Sequence, residues 1–230
     1  MQQESESLHA QSVAATAVAL PLSDEDQARA DFYALIARLL LAPPDAALLA
    51  ALAEAEPISA DGLDEAGRKL EDAWLKVTQA ASVMDAAAVS DEFTDLFIST
   101  GNPLLNPYGS FYLAGHLNDF PLAELRQDLG RLRIARARGV GEFEDHLAAL
   151  CETMRVLIIG APGIARQPLE EQKRLFVAHL QPWYAACLRD IANAEPANFY
   201  RVVAGFADAF LGIEALAFAM WQPADAPLAA

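Results

Sequence analysis

Apolar side chains recur at three- and four-residue spacing along most of the chain, the repeat of a helix with one buried face, and strand-like alternation is not evident. Ser23, with Asp26 three residues on, reads as a capped helix start. Ala28, Phe32, Leu35 and Leu39 then continue one face until Pro43 and Pro44 stop it. A short Ala/Leu helix follows from Asp45 to Glu54, ended by Pro57. Leu63, Leu70, Trp74 and Val77 mark a third helix from Asp61 to about Val83, and Ser90 to Thr100 a fourth, stopped at Gly101. Periodicity resumes at Pro121, a favourable first-turn position, and runs through Leu122, Leu125, Leu129 and Leu132 to Gly139. Three further helices are predicted: Glu142 to Ile159, Pro168 to Ala192 with a kink at Pro182, and Pro196 to Trp221. The last is apolar almost all round, the mark of a central helix. The pattern predicts an all-α fold: one domain over 23–222, a bundle of about eight to ten helices, between a flexible N-terminal tail (1–22) and a C-terminal tail (223–230).

Residues 101–120 break this pattern. Pro and Gly are too dense there for a continuous helix, and the stretch carries Tyr108, Phe111 and Tyr112 as well. Long irregular connections inside compact domains are often functional, and an aromatic-proline surface suits an apolar peptide. Just before it, Phe93, Leu96 and Phe97 share one helical face.

Composition narrows the function classes. Hydrophobic residues make up 54% of the 230, which fits a globular interior and argues against disorder. Sixteen Lys and Arg against 32 Asp and Glu leave a net charge of −16, which disfavours phosphate backbones and anionic lipid as partners and favours cationic ones. Apolar runs are expected to be broken by charge before the roughly 18 residues of a membrane span. No Lys or Arg precedes Arg29, so the apolar stretch Val13 to Leu22 lacks the cationic start of a secretory signal, and a cytoplasmic protein without stable membrane insertion is expected. Cys151 and Cys187 form no C-x-x-C pair and lie in apolar helical runs, the setting of buried, inert thiols.

Catalytic signatures are thin, and no enzymatic activity is expected. His9, His116, His146 and His179 form no H-E-x-x-H pair, and Asp145 and His146, adjacent on a predicted helix, would point about 100° apart, poor geometry for sharing one ion. Gly139-Val140-Gly141 and Gly160-Ala161-Pro162-Gly163 lack the Lys-Ser/Thr of a phosphate loop and follow helices, so both read as interhelix turns. Neither a metal nor a cofactor is expected. His179 and Trp183, one turn apart, read as a helix-joining pair.

Four short runs occur in order: F-x-x-L-F from Phe93 to Phe97, N-P-Y-G-S-F-Y from Asn106 to Tyr112, E-D-H-L from Glu144 to Leu147, and F-x-x-H-L-x-x-W from Phe176 to Trp183. Together with the opening D-F-Y-A-L-I-A-R-L-L helix, they resemble the TorD/DmsD/NarJ family of redox-enzyme maturation chaperones over most of the chain from about Asp24. The resemblance implies a cytoplasmic, cofactor-free helical protein that binds the twin-arginine signal peptide or N-terminal region of a molybdoenzyme precursor, holding back export until molybdopterin insertion. It implies a peptide-binding surface of Phe93, Leu96, Phe97, Pro107, Tyr108, Ser110 and Tyr112, with Glu144, Asp145 and His146 on a helix facing it. Clients of such proteins include reductases of trimethylamine oxide, dimethyl sulfoxide and nitrate, and formate dehydrogenases. The sequence departs from the family pattern at Phe143, where many members have Pro, and at Gly109, where many have Glu.

A cationic-headed, apolar peptide needs carboxylates beside an apolar groove, and Asp91, Glu92, Asp95, Glu142, Glu144 and Asp145 flank the motif aromatics. The competing readings are a general helical scaffold without signal-peptide specificity and a nucleotide-binding regulatory protein. Monomer and homodimer are both open, because helical proteins with long connections can exchange halves.

Overall fold

Ser23, Asp45, Asp64 and Asp85 each turn a side-chain oxygen onto a backbone N–H of the helix that follows, and these four caps set the starts of the first four helices. The computed structural model describes residues 21–58, 64–98, 103–136 and 141–222. Among them are ten helices: α1 (Asp24–Leu41), α2 (Ala46–Ala53), α3 (Glu65–Val83), α4 (Ala86–Phe97), α5 (Gly109–Ala114), α6 (Phe120–Arg131), α7 (Leu147–Ile159), α8 (Leu169–His179), α9 (Tyr184–Asn193) and α10 (Phe199–Met220). The only β pairings among the described residues are the isolated bridges Tyr108 to His146 and Ala161 to Ile164, so the protein is all-α. Most of both expected tails, His9, and part of the glycine run 139–141 lie outside the described residues.

Helix α6 stops at Arg131, short of the expected Gly139, and four further differences from the sequence pattern have a local reason. Helix α4 begins ahead of Ser90, because Asp85 caps the N–H groups of Ala87 and Ala88. The 101–120 stretch contains α5, a single short helix ended at Gly115, whose φ of 82° is the left-handed conformation glycine tolerates. Helix α7 starts at Leu147 rather than Glu142, because His146 is its N-cap and 142–145 are non-helical. The predicted kink at Pro182 is a full break, with Leu180–Trp183 separating α8 from α9.

Helix α1 packs along α7, and α10 packs along α3 and α9. Helix α7 is buried on nearly every side, more completely than α10. Arg201, Asp208 and Glu214 interrupt the apolar run of α10, yet its 22 residues are long and apolar enough to cross a membrane by length and composition. Half of that stretch is buried in the bundle, so much of its apolarity serves the core. Two buried polar links fix α10. Glu92 of α4 accepts hydrogen bonds from the backbone N–H groups of Asn198, Phe199 and Tyr200 at 2.8, 3.0 and 2.8 Å, so a carboxylate caps the positive end of the helix. Near the other end, Glu214 accepts from Arg29 through both oxygens at 2.8 Å and from the Tyr33 hydroxyl at 2.9 Å, tying α10 to α1.

Candidate functional site

The segment after α4 is stitched back onto the bundle by main-chain bonds. Leu105 N–H donates to the Leu96 carbonyl, Leu147 N–H to Pro107, and Gly109 N–H to Asp145, the last two flanking the Tyr108–His146 bridge. The Asp145 carboxylate completes the joint, accepting from Ser110 N–H at 2.7 Å. Pro103 and Pro107 lie ahead of α5, and the first-turn N–H groups of that helix, at Gly109 and Ser110, take their partner from Asp145 in the turn entering α7. Gly109 has a steric role here: a Cβ at this position would lie 3.1 Å from Trp183 Nε1, and that indole donates to the His179 carbonyl at 2.6 Å. Glycine at 109 therefore leaves room for a packed tryptophan.

Between this segment, α4 and the end of α1 lies a cavity of about 210 Å3. Phe93, Phe97, Pro107, Tyr108 and His146 line it, all of them expected binding residues. Leu41, Ile98 and Leu117 also line it while standing 42, 55 and 43% exposed, so apolar side chains face solvent around its mouth. One carboxylate reaches the wall: Glu142 accepts the Tyr108 hydroxyl and makes no ion pair among the described residues. Tyr108 is held above its ordinary pKa by burial, then by Glu142 and Asp145, and so stays a neutral donor.

The remaining expected residues divide by place. Leu96, Ser110 and Asp145 are buried beneath the site; Asp145 and Ser110 hold its frame. Asp145 and His146 do not lie on a helix facing the loop, as expected, but in the turn entering α7. There the His146 Nδ1 accepts the Ala148 N–H at 3.1 Å and the ring meets Tyr108 edge-on. Tyr112 stacks on Trp183 and donates to Asp190 at 2.9 Å, so it fixes α5 to α9 rather than lining the cavity. Glu144 pairs with Arg126 through two bonds of 3.0 and 2.8 Å. Burial raises its pKa, and the arginine with a backbone donor outweighs this to leave it lowered. Of the other flanking acids, Glu92 is spent on the α10 cap, while Asp91 and Asp95 are exposed on α4.

A second cavity of about 290 Å3 shares Leu41 and Glu142 with the first and extends between α6 and α7, past Leu129, Thr153 and Val156. Sequence reasoning missed Leu41, Ile98 and Leu117 because each reads as the frayed end of a helix or an ordinary loop residue. No group of three or more His, Cys, Asp or Glu among the described residues is placed to hold a metal ion.

A family model for the nitrate reductase delta subunit matches residues 59–189. Two curated proteins called chaperone protein TorD, from El Tor and Classical strains of Vibrio cholerae serotype O1, are 29 and 28% identical over 126 residues, 52% of this chain and 57% of theirs. The match thus spans little more than half the length of these relatives. A crystal structure of a protein assigned to redox-enzyme maturation in Archaeoglobus fulgidus superposes with a TM-score of 0.50 at 18% identity, over 81% of this chain and 93% of that one, a likeness of fold. The matched span runs from α3 into α9 and includes most of the cavity wall, and the chain belongs to the nitrate reductase delta subunit family, the TorD-like redox-enzyme maturation chaperones.

Proposed function

We propose that this protein is a cytoplasmic chaperone that binds the twin-arginine signal peptide or N-terminal region of a molybdoenzyme precursor and delays export until the molybdopterin cofactor is inserted. It acts by binding, without turnover. The observation that carries this reading is the cavity at the α1–α4 junction, with its exposed apolar mouth and its unpaired carboxylate. An apolar side chain of the guest enters between Phe93, Phe97 and Tyr108, and an arginine reaches Glu142. Each apolar anchor contributes about 1.5 to 3 kcal/mol on burial, and a charge-assisted hydrogen bond at the rim about as much, enough for micromolar affinity after association entropy.

Ile98 tests this reading cleanly, since it is exposed and its replacement leaves the core intact. Ile98→Asp is expected to weaken calorimetric binding of a twin-arginine signal peptide by about tenfold or more, roughly 1.4 kcal/mol, with an unchanged circular dichroism spectrum. Tyr108→Ala is expected to do the same by opening the cavity wall and releasing Glu142. Parent-like affinity in both variants sinks the site.

A further inference from the structure

Half of α10 is buried, and several of its uncovered residues are apolar as well. Ile213, Leu216 and Met220 lie toward solvent, Leu216 52% and Met220 75% exposed, and a Cβ built at Gly205 or Gly212 on the same helix would meet nothing. On the adjoining face of the helix's C-terminal half, Phe210, Ile213, Ala217, Phe218 and Met220 form one wall of a cavity of about 630 Å3, closed by the first turns of α1, by Leu70 of α3 and by Leu169 of α8. Phe32, Phe210, Ile213, Phe218, Met220 and Trp221 supply its apolar surface. It shares no residue with the cavity at the α1–α4 junction.

The charge lining this cavity is mostly negative, although the Lys173 ammonium sits 5.4 Å from the centre of the Trp221 ring at its edge. Glu25, Asp26 and Glu214 line it against a single guanidinium, Arg29. Arg29 is already committed, to both oxygens of Glu214 at 2.8 Å and to Asp26 at 2.9 Å. Glu25 is exposed and makes no ion pair among the described residues. A guest that buries apolar surface here must also sit beside Glu25, the one lining carboxylate without an ion pair among the described residues, and beside an Asp26 that shares its arginine with Glu214. That costs free energy for a neutral or acidic segment and is favourable for a cationic one.

We propose that this cavity is a second docking groove, which takes a cationic amphipathic segment of a partner protein, its apolar side against α10 and its Lys or Arg side chains against Glu25 and Asp26. The groove is independent of the signal-peptide site and stands or falls without it.

The experiment titrates the full-length protein with an amphipathic peptide carrying Leu on one helical face and Lys on the other, and with the same peptide bearing Glu for Lys. The Lys peptide is expected to bind at least about tenfold more tightly than the Glu peptide, and the double variant Glu25→Lys/Met220→Lys, both exposed positions, to lose about tenfold or more of that affinity. Ile98→Asp, which disables the other cavity, is expected to leave Lys-peptide binding at the parent value. The proposal is overturned if the parent protein fails to bind the Lys peptide, as it would with the chain's own segment seated in the groove, or if both peptides bind alike. It is equally overturned if the double variant binds like the parent or if Ile98→Asp abolishes binding. A parent protein that dimerises in sedimentation while the double variant does not would make the occupant a second copy, which also contradicts it.

Discussion

His146 serves the fold and the cavity wall at once. Its Nδ1 accepts the Ala148 N–H that opens α7, so the ring proton sits on Nε2 and the imidazole is neutral. Burial lowers its pKa to about 4, with the nearby Glu142 and Asp145 carboxylates opposing that shift. The folded state therefore binds fewer protons than the unfolded one, whose histidine titrates near 6.5. The stability this residue contributes is fully present above about pH 6.5 and is lost as pH falls toward 4, amounting to about 3 kcal/mol. Asparagine keeps the N-cap without a titrating ring. Urea midpoints at pH 7 and pH 4.5 are expected to fall further for the parent than for His146→Asn, and equal falls would show that another group controls the decline. The residue types around this position were legible in the sequence, whereas their roles were not. Asp145 and His146 stand side by side in the chain, yet one braces Ser110 and the other caps a helix, because the turn entering α7 separates their directions.

At the scale of elements, periodicity placed α1, α3 and α10 well, ran α8 and α9 together, and missed the short α5. Helix α5 is too brief to show a repeat of its own. It forms because Tyr112 stacks on Trp183 and bonds to Asp190, contacts supplied by α9 far along the chain. Glu92 shows the same limit from the other side: beside Phe93 it reads as a solvent-facing acid near a binding face, and in the fold it is buried on the N-terminus of α10. Removing that carboxylate leaves three backbone donors of α10 without their partner. Glu92→Ala is expected to cost about 3 kcal/mol or more in chemical denaturation, and Glu92→Gln, which keeps an acceptor, distinctly less. A loss under about 1 kcal/mol for the alanine variant would mean that water replaces the cap at no great cost.

For the whole molecule, the −16 charge acts at long range where individual ion pairs do not. It draws a cationic peptide toward the surface before any contact forms, and salt screens that attraction over about 10 Å at 0.1 M. Stopped-flow association of a twin-arginine peptide is expected to slow as salt rises while dissociation changes little. A salt-independent association rate would assign the encounter to apolar contact alone. The helical class, the acidic field and the break in pattern after α4 were determined by the sequence itself, because they depend on composition and on spacing within a few residues. Tertiary structure alone decided that Leu41, Ile98 and Leu117 meet around one mouth, that Glu144 rather than Glu142 takes the nearby arginine, and that half of an apolar helix remains uncovered. Such facts depend on which distant surfaces cover one another, and burial is a property of the packed chain that no local pattern contains.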